Sequence, residues 1–169
     1  MRITAGKYKN RKLFSPADSN VRPTMERAKE ALFSILKARL ENFEELSFLD
    51  VFAGSGSMGF EALSRGFEEV CFIDIDTTTL LKNAKLFNEP APIKKLDATN
   101  LPLAPKAFDV VFLDAPYNKG LSEKAYKSLK ENGWINDESF VIIELEKKED
   151  ISLDFIEEKR YGLNKFLFL

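Results

Sequence analysis

The chain contains no histidine in its 169 residues. That excludes Ser-His-Asp and Cys-His catalysis and every histidine-bound metal. Its single cysteine, Cys71, cannot form an internal disulfide, which fits a reducing compartment. No apolar run reaches the length of a membrane span. The first residues, Met1-Arg-Ile-Thr-Ala-Gly-Lys7, lack the apolar core of a secretory signal. A cytoplasmic protein without membrane or metal is therefore expected. Internal repeats, linkers and low-complexity tracts are also missing. With 44% hydrophobic and 31% charged residues, the chain is long enough to bury one core. Any catalysis must run on carboxylates, backbone groups and positioning.

The most informative stretch is Phe48-Leu-Asp-Val-Phe-Ala-Gly-Ser-Gly-Ser-Met-Gly59. A short apolar run carries one acid, Asp50, then turns glycine-rich at Gly54, Gly56 and Gly59 and leads into a helical pattern. A strand, a tight glycine turn and a helix open a nucleotide-type cofactor site. Alone, this spacing fits a NAD site, a structural turn or a site for S-adenosylmethionine. Asp50 favours the last, because a carboxylate repels a pyrophosphate and attracts a sulfonium and an amino group. A P-loop is excluded, since no Gly-Lys-Ser/Thr follows.

Beyond this stretch the pattern alternates. Strands are expected at residues 48–52, 70–74, 93–96, 108–113 and 140–145, with helices at 58–65, 77–88 and 121–131. Residues 155–161 and 163–169 flank Gly162 and read as a terminal antiparallel hairpin. The expected fold is α/β, with a mostly parallel sheet and helices on both faces. Ligands then bind at the C-terminal ends of the strands.

Those ends carry acids. Asp74 lies about twenty residues beyond the glycines, where an acid takes both ribose hydroxyls. Asp76 is better placed to cap the next helix. Asp97 suits either an adenine amino group or a plain turn. Asp114-Ala-Pro-Tyr117 puts a carboxylate, backbone carbonyls and an aromatic ring together. Methylating an exocyclic base amine needs that set. Asp114 and a backbone carbonyl accept the two amine hydrogens, and Tyr117 stacks on the base. The base must be unpaired or flipped out. The bland alternative is a turn built by Pro116 and Asn118.

The N-terminal region is basic. Ten basic against three acidic residues give +7 over residues 1–39, leaving −9 for the rest of a chain whose total is −2. Such a distribution marks either local phosphate contact or a solvated face. Residues 1–5 and 11–14 read as two short strands of a basic hairpin, too small to stand alone. Residues 16–23 read as a loop. Thr24 is expected to cap a helix whose apolar stripe is Ala28, Ala31, Leu32, Ile35, Leu36 and Leu40. The charged residues Arg27, Lys29, Glu30 and Lys37 are expected mostly off that stripe.

Taken together, these residues resemble the class I S-adenosylmethionine-dependent methyltransferases with a Rossmann-like fold. More closely, the chain is similar to the bacterial 16S rRNA (guanine-N2) methyltransferases of the RsmD type. The motifs are Arg2-Ile-Thr-Ala-Gly6, Arg11-Lys-Leu13, Arg22-Pro-Thr24 with Arg27, Ala31-Leu-Phe33, the Phe48 to Gly56 stretch, Glu61-Ala-Leu-Ser-Arg-Gly66, Phe112-Leu-Asp-Ala-Pro-Tyr117 and Gly133-Trp134. They cover essentially the whole chain.

The resemblance implies one methyltransferase domain over 1–169, with a basic hairpin and helix at 1–41 and a catalytic core at 42–169. It implies a seven-stranded sheet in the order 3-2-1-4-5-7-6. The implied cofactor is S-adenosylmethionine, held by Thr24, Asp50, Phe52, Gly54, Ser55, Gly56, Asp74, Ile75, Asp97, Ala98 and Asp114. The target base would meet Asp114, Ala115, Pro116 and Tyr117. The implied partner is 16S rRNA in an assembling or assembled small subunit, met by Arg2, Lys7, Lys9, Arg11, Lys12, Arg22 and Arg27. The protein is expected to act as a monomer. Two departures stand out. Ala115 replaces the first proline of the usual Asp/Asn-Pro-Pro-Tyr/Phe, keeping the carbonyl and losing rigidity. Lys9-Asn10-Arg11 replaces Arg-Gly-Arg. Competing readings are a DNA adenine-N6 methyltransferase, a NAD(P) oxidoreductase, and a non-catalytic RNA-binding module of the same fold.

Overall fold

The computed structural model describes residues 1–15, 23–88, 90–117 and 119–169, with backbone alone for 23–25. Arg22, Asn118, the 16–22 part of the expected loop and the Thr24 side chain lie outside the described residues.

Helix α1 (Pro23–Leu40) precedes a seven-stranded sheet. The sheet comprises β1 (Ser47–Val51), β2 (Glu69–Asp74), β3 (Ile93–Lys95), β4 (Val110–Leu113), β5 (Phe140–Glu146), β6 (Glu157–Tyr161) and β7 (Asn164–Phe168). Between the strands lie α2 (Ser57–Arg65), α3 (Thr78–Ala84) and α4 (Leu121–Glu131). The order is β3-β2-β1-β4-β5-β7-β6, with β7 antiparallel to both neighbours. The order reverses beside β1, which places its C-terminal end at the crevice of the sheet.

Side-chain alternation assigns the two faces. Phe48, Phe72, Val110, Phe112 and Ile142 pack with Leu32 and Leu36 of α1, Phe60 of α2 and Leu80 of α3. Leu49, Ile73, Val111, Leu113 and Ile143 pack with Ala125 and Leu129 of α4. Even-numbered residues of β1, β4 and β5 thus face α1–α3. That parity decides where their acids point.

Four expectations are corrected. Residues 1–5 and 11–14 run antiparallel but form a single bridge, Arg2 to Lys12. The Ile3 and Leu13 amides donate across the pair to Arg11 and Met1, while neighbouring donors go to α2. The Lys7 and Tyr8 amides donate to Ser64, and those of Thr4 and Ala5 donate to Glu61. Gly6 makes the approach possible, since a Cβ there would lie 1.7 Å from the Ser64 carbonyl oxygen. Helix α1 starts at Pro23, so Thr24 lies inside its first turn rather than at the cap. Helix α3 stops at Ala84 rather than 88, because tight turns at Leu86 and Phe87 swing Phe87 onto Phe60 and Tyr8 at 4.3 and 4.9 Å between ring centroids. Strand β4 begins at Val110 rather than 108. There the Phe108 amide donates to Trp134, and Asp109 binds Ser47 of the neighbouring strand.

Lys29 is the fifth surprise. It is buried, and its ammonium lies 3.2 Å from Glu61, itself buried. Burial lowers the Lys29 pKa, with Glu61 opposing. Burial pushes the Glu61 carboxyl up, but Lys29, Thr4 and Arg65 together bring it below its usual value. The basic segment is thereby partly neutralised inside the fold rather than offered to a partner.

Candidate active site

The turn after β1 is fastened at both ends by acids. Asp50 Oδ2 accepts from the Gly59 amide at 2.8 Å, which secures the start of α2 beneath the turn. Asp74 Oδ2 accepts from the Gly54 amide at 2.7 Å, and its Oδ1 accepts from the Asp76 amide. Phe52 holds a left-handed backbone at φ 60, a conformation that costs a non-glycine residue about 1–3 kcal/mol. The three glycines of the motif have different jobs. A Cβ on Gly56 would fall 2.5 Å from Leu80, and one on Gly59 would fall 2.2 Å from Phe72. A Cβ on Gly54 would meet nothing closer than 4.0 Å. Gly56 and Gly59 let α2 pack, whereas Gly54 borders open space.

That space is a cleft of about 810 Å³. Its walls come from the ends of β1, β4 and β5, the starts of α1 and α2, and the β6–β7 turn. Asp50, Phe52, Gly54, Ser55, Asp114 and Tyr117 line it. Glu144 and Asn164 stand among them. Leu113 pairs with Ile143 in parallel register, so Asp114 follows on β4 where Glu144 follows on β5. Both have the parity of Asp50, and all three acids face the same side of the sheet.

Crowding shapes their protonation. Burial pushes Asp50 up to about 8, with the Gly59 amide pulling down and the charge of Asp74 pushing up. Burial also raises Asp114 well above the usual carboxylate range, and the charges of Glu144 and Asp50 raise it further. Burial pushes Glu144 up to about 7, against the hydrogen bond from Asn164. The Tyr117 phenol is raised first by burial, then by Asp114 and Glu144. Asn164 donates through Nδ2 to Glu144 Oε1 and lines the cleft together with Tyr117. Among the described residues, no donor reaches the Asp114 carboxylate, and Oε2 of Glu144 takes no hydrogen bond.

The other expected residues distribute unevenly. Ala115 is buried behind Asp114, and Pro116 is exposed. Ile75 is 68% exposed beyond the end of β2, an open apolar side chain next to Asp74. Asp97 accepts from the Thr99 amide and hydroxyl, the plain-turn alternative for it, and these bonds lower its pKa. Ala98 packs into the α4-side core and presents no side chain to the cleft. Asp76 accepts from the Thr78 amide and hydroxyl at the start of α3. On the N-terminal segment, Lys9, Lys12 and Arg27 are exposed. Arg2 pairs with Glu26 at 3.2 Å. The Arg11 guanidinium lies 4.4 Å over Tyr8 and 5.4 Å over Phe87, and Lys7 lies over Tyr8.

Sequence reasoning missed Glu144, Asn164 and Lys29. For Glu144 a signal existed. It is the first acid in Phe140-Val-Ile-Ile-Glu144, an otherwise apolar central strand, and a charge at that depth needs a reason. Asn164 gave no signal, because its role depends on how the terminal hairpin returns to β5.

The residues fit S-adenosylmethionine. A glycine turn with room at Gly54 and acids on one wall suits a compact, cationic, amino-acid-bearing group. A family model described as Conserved hypothetical protein 95 matches residues 1–169. "Ribosomal RNA small subunit methyltransferase D" of Haemophilus influenzae is 36% identical over 176 residues, covering 96% of this chain and 90% of that protein. The Escherichia coli protein of the same name is 36% identical over 152 residues, covering 86% and 75%. The solved structure described as "Putative methyltransferase yhhF from Escherichia coli" superposes with a TM-score of 0.80 at 30% identity, over 99% of this chain and 96% of that one.

Proposed function

The chain belongs to the family described as Conserved hypothetical protein 95, and from that premise we propose that it methylates the exocyclic N2 amine of one guanine in the 16S rRNA of the small ribosomal subunit. It is a methyltransferase with a Rossmann-like fold, and its cofactor is S-adenosylmethionine. When bound, that cofactor supplies an electrophilic methyl group on a sulfonium. Asp50 and the turn at Gly54 and Ser55 would hold its amino-acid end, and Asp74 its ribose.

The observation that carries the reading is the Asp114 carboxylate. It lines the same cleft as the glycine turn, half-buried, and no described residue donates to it. An acceptor left open toward the cleft is free to receive an incoming base amine. Asp114 and the Ala115 carbonyl accept the two amine hydrogens and orient the nitrogen lone pair toward the cofactor side of the cleft. Tyr117, at its mouth, stacks on the base and keeps water out. The nitrogen becomes acidic as it is methylated, so Asp114 can take the departing proton without being a strong base. The exposed Lys9, Lys12 and Arg27 would meet phosphates. So short a basic patch suits a partly assembled subunit, where ribosomal proteins complete the contact.

The test is methyl transfer from labelled cofactor to unmodified small subunits, protein-free 16S rRNA and duplex DNA, followed by identification of the labelled nucleoside. N2-methylguanosine from the subunit particle is the expected product. N6-methyladenine in DNA would replace this reading with the adenine one. Asp114→Ala should abolish transfer and leave cofactor affinity within a few fold. Loss of cofactor binding as well would move Asp114 from the base to the cofactor.

A further inference from the structure

The cleft contains more acceptors than amine transfer needs. Besides Asp114, Glu144 lines it, and the two carboxylates sit level on adjacent strands. Asn164 donates to Oε1 of Glu144. That bond fixes the carboxylate and leaves Oε2 as the atom without a described partner. Tyr117, the ring on which a base would lie, lines the same cleft. Glu144 is thus held, beside the stacking platform, by one side chain of β7.

The bases differ in what they present next to an amine. In adenine and cytosine the ring nitrogen beside the amino group is a bare lone pair. In guanine it is N1–H, a donor adjacent to the two hydrogens of N2. A wall of acceptors repels the first arrangement and matches the second.

Resting on the guanine reading above, we propose that Glu144 is the residue that selects guanine, accepting the N1–H through Oε2 while Asp114 and the Ala115 carbonyl accept the hydrogens of N2. Asn164 acts as a positioning residue for this contact. Adenine in the same pose would place its N1 lone pair against a carboxylate oxygen. A buried polar group left unmatched penalises the wrong ligand more than a matched one rewards the right ligand.

The test uses the full-length protein and small subunits reconstituted with RNA carrying either guanine or 2-aminopurine at the methylated position. 2-Aminopurine keeps the amine and replaces N1–H with a lone pair. The variant is Glu144→Gln. Because Asn164 still donates to Oε1, the new Nε2 takes the place of Oε2 and offers a donor. The wild type should favour guanine by roughly ten- to a hundred-fold in kcat/KM. The variant should narrow that ratio at least tenfold, through slower guanine transfer and better use of 2-aminopurine. An unchanged ratio in a variant that binds cofactor normally would overturn the assignment. If Glu144→Gln does not fold, Glu144→Ala serves, since loss of the carboxylate must also narrow the ratio. Failure of the wild type to form any N2-methylguanosine is a failure of the functional reading itself, and it is seen before any variant is made.

Discussion

Glu61 and Lys29 form a buried ion pair, 3.2 Å apart, that joins α2 to α1. Glu61 also accepts from the Thr4 amide and hydroxyl, the Ala5 amide and Arg65. One carboxylate therefore fastens the N-terminal segment, α1 and α2 together, directly behind the glycine turn. Removing it leaves the Lys29 ammonium with only the neutral Arg2 carbonyl and Ser57 hydroxyl, and takes the acceptor from two part-buried backbone amides. Glu61→Ala is expected to destabilise the protein by about 3–5 kcal/mol, measured by urea denaturation. Pairing it with Lys29→Met should recover part of the loss, because the orphaned charge goes too. Equal midpoints for single and double variants would show that Lys29 is not held by Glu61.

The glycine motif can be dissected by substitution. Gly59→Ala drives a Cβ to 2.2 Å from Phe72 and should lower the melting temperature strongly. Gly54→Ala meets nothing within that range. Its backbone at φ 55 costs roughly 1 kcal/mol, and the new methyl borders the cleft. Gly54→Ala should therefore keep most of its stability and lose cofactor affinity at least tenfold, read by calorimetric titration. Unaltered affinity would remove Gly54 from the cofactor site.

The raised pKa of Asp50 makes a signed prediction for stability. The ordinary carboxyl value is 3.8 and the folded value about 8, so the folded state binds this proton more tightly than the unfolded state. That contribution is present at low pH and is lost as pH rises from about 4 through about 8. Asp50→Asn keeps an acceptor for the Gly59 amide and cannot ionise. The stability difference between variant and wild type should shift toward the variant as pH rises over that window, then level off. A difference independent of pH would mean that Asp50 is ionised in the fold at all these values.

Exposed and packed cations of the N-terminal segment should separate in function. Charge reversal at Lys9 and Lys12 should weaken rRNA binding and reduce the steepness of its salt dependence by roughly one unit per lysine, with little change in melting temperature. Arg11 lies over Tyr8 and Phe87 and bonds the Leu86 carbonyl. Arg11→Ala should act in the opposite sense, lowering the melting temperature more than the salt slope. The same slope change from Arg11→Ala would place its guanidinium on RNA instead of on the aromatic pair.

The sequence alone determined the order of strands and helices, because period-two and period-3.6 apolar patterns are set residue by residue. Helix α4 matches its expected bounds, and β2 and β5 differ by a residue at one end. Asp50, Asp74 and Asp114 stood out because acids at the ends of apolar strands are locally visible. Local pattern misjudged the places where a distant segment competed for the same groups. Glu61 and Ser64 bind the amides on either side of Gly6 and cut the expected hairpin to one bridge, and Phe87 left helical spacing to reach Phe60 and Tyr8. Only tertiary structure decided what each glycine faces, that Lys29 is a buried partner, and that Glu144 stands level with Asp114. Parity within a strand can be read from sequence. Which strands lie side by side, and in what register, is set by long-range packing, and that packing brings the acids of β1, β4 and β5 to one wall.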